Sequence, residues 1–450
     1  MKHSHVTSDS SQRFFPGKGV RTEKKKWGEE HWIVNKEYCG KKLLLQKDRR
    51  CSLHKHKQKD EVFYLQSGKV LLELDGTSYT LEKGDFIHIP AGSLHRFTGL
   101  QDSEMIEFST HHVEEDSYRE EFSGHAEPKR YERQFGVLKQ FSKQSVLVVG
   151  DVMLDCYTAG SVDRISPEAP IPILQVSEQR NVLGGAGNAA ANIRALGSKV
   201  KLLSVCGQDS SAQEVKNLLK AHGIQATILT DAKRPTTRKE RLLGHNSQQI
   251  VRIDTEDTEP LSSALEKRLI QKARSLSASS SAILISDYAK GVLSPKFYKA
   301  LYALGRTHGI PVVVDPKPRD VFSLKELKGA TAVTPNVHEA RTLLHNHRLS
   351  EENLGRELSK TFNGMVYLTR GSQGMDICTK GKRLAHFDSL SPEVVDVSGA
   401  GDTVSVVIAL CLAIGATAED TADISNRAAS AVVQKHGTAT LDIDELESVL

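Results

Sequence analysis

The sequence predicts two domains of different class, a small all-β barrel or sandwich followed by a doubly wound α/β domain. Three observations carry this. The chain has 450 residues, too many for one ordinary core at roughly 150 residues per domain. Ten of its 18 histidines lie before residue 126, among short alternating segments with Gly turns. From Ser145 the alternation gives way to continuous apolar runs followed by helical stretches. Alternation marks strands with one wet face, whereas continuous runs mark strands buried on both faces of a parallel sheet.

The elements follow in order. Residues 1–26 are polar and hold the basic run Arg21-Thr-Glu-Lys-Lys-Lys26, which reads as a disordered, solvated tail. Residues 27–115 form the β domain. Its strands include Glu61-Val-Phe-Tyr-Leu65, Lys69-Val-Leu-Leu-Glu-Leu74 and Phe86-Ile-His-Ile89, punctuated by Ser67-Gly68, Asp75-Gly76 and Lys83-Gly84. Residues 116–143 are charged, contain Gly124 and Pro128, and read as a linker with one surface helix. Residues 144–450 form the α/β domain. Val146-Leu-Val-Val149, Val200-Lys-Leu-Leu-Ser204, Ala282-Ile-Leu-Ile285, Pro311-Val-Val-Val314 and Val366-Tyr-Leu-Thr369 read as buried parallel strands, whose carboxyl ends should carry the ligands.

Composition excludes several classes. With 38% hydrophobic and 26% charged residues the chain can build a real core, unlike disordered or collagen-like sequences. The net charge of +4 is small, and the basic excess is local: 16 basic against 7 acidic side chains in residues 1–60, 9 against 15 in residues 61–143, and 35 against 34 beyond. No basic stripe runs through a folded domain, so nucleic acid is not an expected partner. The six cysteines are scattered without a C-x-x-C pair, which fits a reducing, cytoplasmic compartment. No apolar segment follows the polar start, and the most apolar stretch, Val404 to Ala416, is short of the roughly 20 residues of a membrane span. It reads as a buried helix.

In the β domain, His54-x-His56 places two imidazoles on one face of a strand. Glu61 and His95 can complete a set of three histidines and one carboxylate, leaving positions open for water or substrate on a six-coordinate metal. The spacing H-x-H-x4-E-x6-G, followed by G-x5-P-x-G-x2-H, resembles the two cupin motifs over roughly residues 27 to 115. Asp48 stands where a leading Gly is common, and Gly99 where a closing Asn is common. The text around Pro90-Ala-Gly-Ser-Leu-His-Arg96 is similar to small cupins such as type II mannose-6-phosphate isomerase. The resemblance implies a cupin barrel binding a divalent transition metal (Zn, Mn, Fe or Ni) through His54, His56, Glu61 and His95. Its chemistry stays open between isomerase or epimerase and non-catalytic sugar sensor.

In the α/β domain, Asp396-Val-Ser-Gly-Ala-Gly-Asp402-Thr403 directly precedes the apolar helix. Small residues at a helix N-terminus let backbone N–H groups face an anion, and an Asp there can accept a proton from an attacking hydroxyl. This suits phosphoryl transfer. Leu183-Gly-Gly-Ala-Gly-Asn188 allows close backbone approach to a sugar, and Asp151 and Asp155 follow the first strand. Thr334-Pro-Asn336-Val-His-Glu339 is suited to organising Mg²⁺ and its waters. No G-x-x-x-x-G-K-[ST] sequence occurs, which disfavours a P-loop kinase.

Together these elements resemble the ribokinase (PfkB) family over residues 145 to 450. The fold implied is a ribokinase-like doubly wound domain with a small β lid. The implied roles are Asp402 as general base and the N–H groups of Gly399, Ala400 and Gly401 as anion hole. Asn336, Glu339, Thr369, Gly371, Asn426 and Gly437 would serve ATP and Mg²⁺. Asp151, Asp155, Gly184, Gly185 and Asn188 would hold the sugar, with Lys239 and Arg241 of the lid on a substrate phosphate or merely exposed. Asp396 and Ser398 would belong to a monovalent-cation loop suited to K⁺.

Arg164-Ile-Ser-Pro-Glu-Ala-Pro-Ile-Pro172, Ser286-Asp-Tyr-Ala-Lys-Gly291, Asp315-Pro-Lys317 and Lys435-His-Gly-Thr438 are similar to the family's heptose 7-phosphate kinases. That subgroup phosphorylates the anomeric oxygen to the 1,7-bisphosphate. The chain ends at Leu450 without a nucleotidyltransferase, so the bisphosphate is the expected product. The resemblance also implies a homodimer, with ATP and a small-molecule sugar phosphate as partners. The alternatives are a kinase for another sugar or nucleoside, and a cupin that only senses sugar.

Overall fold

The computed structural model describes residues 21–113, 116–119, 124–125, 128–245, 248–318, 324–390, 399–435 and 439–450. The chain divides into two compact units, Met1–Glu132 and Arg133–Leu450.

The N-terminal unit is two antiparallel sheets. One runs in the order Arg21–Lys25, Gly28–Asn35, Tyr38–Leu45, Ser103–Thr110, Glu61–Ser67, Phe86–Ile89. In the other, His95–Gly99 pairs with His54–His56, Arg49–Arg50 and Lys69–Leu74, and Lys69–Leu74 pairs with Thr77–Glu82. Period-two alternation puts Glu61, Phe63 and Leu65 inside, where the two phenyl rings of Phe63 and Phe97 meet edge to face at 4.5 Å among Leu43, Leu65, Leu72 and Met105. Asp48 has φ 63°. Asp tolerates this left-handed turn better than most side chains, which explains how it replaces the usual Gly. At Gly99 a Cβ would stand 2.4 Å from the carbonyl oxygen of Gln46, so no Asn fits there.

Two segments differ from the sequence reading. Arg21–Lys25, placed in a disordered tail, forms an edge strand against Gly28–Asn35. Part of its charge is matched: Lys25 Nζ lies 2.9 Å from Glu23 and 3.7 Å from Glu30, two carboxylates that face each other across the register. The stretch read as a linker is structured at both ends. Ser117–Arg119 and Gly124–His125 join the second sheet. Further on, Gln134 donates to Asp423 (2.9 Å), Arg133 pairs with Asp420, and Phe141 is fully buried, all within the second unit.

That unit is built on a nine-stranded sheet, in the order Gln225–Thr230, Lys199–Cys206, Ser145–Gly150, Ala282–Ser286, Val312–Asp315, Ala332–Val333, Met365–Thr369, Met375–Thr379, Lys382–Phe387. The first seven are parallel and the last two antiparallel. The chain starts at the central Ser145–Gly150, fills one side and then the other. Its order therefore reverses beside Ala282–Ser286, where a doubly wound sheet opens a crevice. A second sheet, Pro172–Gly185, Val152–Ile165, Arg238–Leu243, Gln249–Thr255, is the lid expected from sequence. The helix Ala400–Ile414 buries every residue from Asp402 to Cys411, as its apolar composition demands. Among the described residues no helix is long and apolar enough to cross a membrane. All six cysteines are free and buried.

Gly150 closes the central strand where a Cβ would stand 1.8 Å from the carbonyl oxygen of Ser286. Gly150→Ala must push two central strands apart, so it should lower unfolding stability by about 1–3 kcal/mol, measurable as a shifted denaturant midpoint with unchanged m-value.

Candidate functional site

Asp402 sits in the first turn of Ala400–Ile414 and is 4% exposed. Its carboxylate accepts from Asn188 Nδ2 at 2.7 Å and from the Tyr288 hydroxyl at 2.8 Å. Burial pushes the carboxyl up to about 6, and these two donors hold it from rising further. Asn188 is itself fixed: Asn192 Nδ2 donates to its Oδ1 (3.2 Å) and backbone oxygen (3.1 Å), while Thr403 donates to Asn192 Oδ1 (3.2 Å). With Oδ1 occupied, Nδ2 faces the base. Gly399 caps the helix at φ 84°, and a Cβ on Gly401 would meet nothing within 4 Å. The first-turn N–H groups, which have no intrahelical acceptor, thus border open space beside the carboxylate.

Around this centre the sequence-predicted residues fall into different jobs. Asp155 lies against Gly184, whose Cβ would be 2.4 Å from Asp155 Oδ2, and binds Arg241 at 2.9 Å. Lys239 is paired in register with Asp155. Burial and the nearby Lys290 lower its pKa, and both basic lid residues are half-buried. Gly185 adopts φ 56°, with no room for a Cβ beside the carbonyl oxygen of Asp151. Asp151 is held by backbone amides. Its oxygens accept from the backbone N–H groups of Tyr288 (2.9 Å), Lys290 (3.2 Å) and Val292 (3.2 Å), so it shapes the loop that presents Tyr288. Ala289 in that loop has φ 58°, a conformation such anchoring sustains.

Asn336 and Glu339 form a reciprocal capping box at the helix Val337–Leu343, each accepting from the other's backbone N–H at 2.9 Å. Glu339 also accepts from Lys317 (3.1 Å). Thr369 ends its strand with its N–H on Pro335 (3.1 Å), Gly371 turns at φ 57°, and Asn426 donates to the carbonyl of Asp388 (2.7 Å). Asp396, Ser398 and Gly437 lie outside the described residues.

Two residues given no role from sequence belong here. One is Tyr288. The other is Asp315, whose carboxyl is raised well above the usual range by burial and by Glu339 and Asp402. Asp315 had a readable signal, as the polar residue ending a parallel strand. Tyr288 lies in the quoted segment Ser286–Gly291, but only the fold brings it to Asp402.

In the N-terminal unit, His54, His56 and His95 offer ligand atoms within 4.8 Å of one another. Each Nδ1 lies on a backbone carbonyl: Ser52 for His54 (2.8 Å), Asp116 for His56 (3.2 Å) and Ser93 for His95 (3.1 Å). An Nδ1–H donor leaves each Nε2 with its lone pair inward. Burial and the neighbouring His95 pull His54 down to about 3, so it is neutral and able to ligate. Glu61 Oε2 lies 3.2 Å from His95 Nε2, and both atoms are buried without a hydrogen-bond partner. All four predicted ligands therefore converge, and their orphaned atoms fit a divalent transition metal. Lys59, missed from sequence, bonds Glu61 through its other oxygen and Glu107 at 2.6 Å. Burial opposes the Glu61 charge, but the His95 and Lys59 contacts outweigh it and hold the carboxyl well below its usual range.

Residues 143–445 match the pfkB family carbohydrate kinases. The chain belongs to this kinase family. Residues 43–109 match the cupin domain. The kinase is 41% identical over 310 residues to bifunctional protein HldE of Azorhizobium caulinodans, covering 68% of this chain and 64% of that protein. It is 38% identical over 319 residues to that of Caulobacter vibrioides, with the same coverage. This chain thus spans less than two thirds of the length of these curated relatives. Among solved structures, phosphofructokinase-2 from Escherichia coli in complex with potassium has TM-score 0.57 at 18% identity, covering 68% of this chain and 97% of that one. Arabidopsis thaliana ribokinase complexed with ribose and ATP has TM-score 0.53 at 18% identity, covering 68% and 98%. These two share the fold.

Tyr288→Phe removes a donor that favours ionised Asp402, so the acid limb of the kinase pH–rate profile should move to higher pH; an unmoved limb would leave Tyr288 without this positioning role. His54→Ala, or incubation with a chelator, should strip metal from the cupin unit as read by elemental analysis.

Proposed function

We propose that this protein transfers the γ-phosphoryl group of ATP to the anomeric oxygen of D-glycero-D-manno-heptose 7-phosphate, giving the 1,7-bisphosphate. The observation that supports it best is Asp402, a buried carboxylate with a pKa near neutrality, at an open helix N-terminus. The anomeric O–H proton passes to Asp402 as the bond from oxygen to the γ-phosphorus forms and the bond from that phosphorus to the β–γ bridging oxygen breaks, releasing ADP. The N–H groups at Gly399, Ala400 and Gly401 face the transferring phosphoryl oxygens. Asp155 and Asn188 hold sugar hydroxyls, and Lys239 and Arg241 the 7-phosphate, with Arg241 already drawn inward by Asp155.

Asn336, Glu339 and the half-buried Asp315 would hold Mg²⁺, which would supply neutralisation of the nucleotide phosphates, while Thr369, Gly371, Asn426 and Gly437 serve the nucleotide. Asp396 and Ser398 hold a monovalent cation such as K⁺.

The cupin unit holds Zn, Mn, Fe or Ni through His54, His56, His95 and Glu61 and isomerises or epimerises a sugar phosphate, in the manner of type II mannose-6-phosphate isomerase-like cupins. The protein works in the cytoplasm as a homodimer. The lid strand Gln249–Thr255 exposes Ile250, Val251 and Ile253 at 40–48%, a surface that a second copy would cover.

With Mg·ATP, release of ADP should be strongest with a heptose 7-phosphate; failure of every heptose 7-phosphate in a panel of phosphosugars and nucleosides would overturn the substrate assignment. Asp402→Asn should cut turnover at least about 10³-fold. Because Asp402 must be ionised to accept a proton and its pKa is raised to about 6, kcat/KM should fall tenfold per pH unit below about pH 6 and level off above it.

A further inference from the structure

We infer that the cavity of the N-terminal unit is a phosphomonoester site, in which Lys24 and Lys26 hold the phosphate while the metal-facing end receives uncharged oxygens of the same molecule. This rests on reading that unit as a metal cupin.

The cavity measures about 380 Å³, within the range of small-molecule sites. Five lysines line it (Lys24, Lys25, Lys26, Lys41 and Lys59) against three carboxylates, Glu30, Glu61 and Glu107. The inner charges are already matched. Lys59 lies between Glu61 and Glu107. Lys41, 2% exposed, sits 3.8 Å from both Glu30 and Glu107 and 4.0 Å above the Trp32 ring. Lys25 is held by Glu23 and Glu30. Among the described residues, Lys24 and Lys26 have no carboxylate partner, so the surplus positive charge lies on the exposed side of the cavity. A divalent metal on the histidines would add to it.

The lysines are not on a loose tail. They flank the turn of the hairpin Arg21–Lys25 and Gly28–Asn35. Trp27 in that turn is buried in the core and its carbonyl accepts from the Gln46 N–H at 2.9 Å. Gly28 runs at φ 152° so close to the neighbouring strand that a Cβ would be 1.8 Å from the Leu44 carbonyl oxygen. Two ammonium groups on an anchored hairpin, lining the same cavity as the histidines, match a ligand with a dianion at one end and hydroxyl or carbonyl oxygens at the other. A phosphomonoester carries close to two negative charges near neutral pH, which matches two unpaired lysines better than a carboxylate would.

The chain contains only two tryptophans. Trp27 lines this cavity and Trp32 lies beneath Lys41, so tryptophan fluorescence, excited selectively at long wavelength, reports on this site and not on the kinase. The metal-loaded full chain, without ATP, is titrated with mannose 6-phosphate, fructose 6-phosphate, mannose and inorganic phosphate. A saturable change is expected with a hexose phosphate, at least about tenfold tighter than with mannose or inorganic phosphate. Lys24→Gln/Lys26→Gln should weaken it about tenfold with unchanged metal content. No response to either hexose phosphate, equal affinity for mannose or inorganic phosphate, or undiminished affinity in the double variant would overturn the inference. The underlying reading fails separately: if His54→Ala leaves the metal content unchanged, the metal reading falls while a lysine-dependent phosphosugar response still stands.

Discussion

The C-terminal unit is organised around one electrostatic constraint, the burial of a carboxylate that has to carry charge. Asp402 is removed from water, and burial alone would favour its protonated form. Two donors, Asn188 and Tyr288, offset that cost, and much of the surrounding structure holds those donors in place. Asn192 and Thr403 lock Asn188. Asp151 gathers three backbone N–H groups to shape the loop of Tyr288. The close approaches at Gly150 and Gly185 let strand ends come near enough for both arrangements. The balance leaves the carboxyl near 6, charged at neutral pH and still basic enough to take a proton.

The N-terminal unit solves a related problem with different means. Three imidazoles are oriented by backbone carbonyls, leaving their other nitrogens for a cation. Glu61 keeps its charge because Lys59 supports one oxygen while the other stays without a hydrogen-bond partner. In both units the groups with chemical work are fixed by hydrogen bonds with their neighbours.

Much of this was legible in the sequence. The apolar runs at Val146–Val149, Ala282–Ile285 and Val366–Thr369 all fall within observed strands, because strands buried on both faces have little freedom in composition. Asp402, Asn188, Asp155 and the cupin histidines stood out because their spacing is itself chemical. Other positions were hidden for physical reasons. Arg21–Lys25 looked like a solvated tail since its pairing partner, Gly28–Asn35, is found only once the hairpin forms. At Asp151, a carboxylate after a strand gives no sign that three backbone amides will bind it. Tyr288 lies 114 residues from its partner, a distance that no local pattern bridges.

The central claim, that burial tempered by two donors sets the Asp402 carboxyl near neutrality, can be measured directly. Isotope-edited infrared spectroscopy of the full chain, labelled at aspartate carboxyl carbons and compared with Asp402→Asn, follows this one group through a pH titration. A carboxyl that ionises with a midpoint near pH 6 is the result expected. A midpoint near the ordinary aspartate value of about 4 would contradict the account.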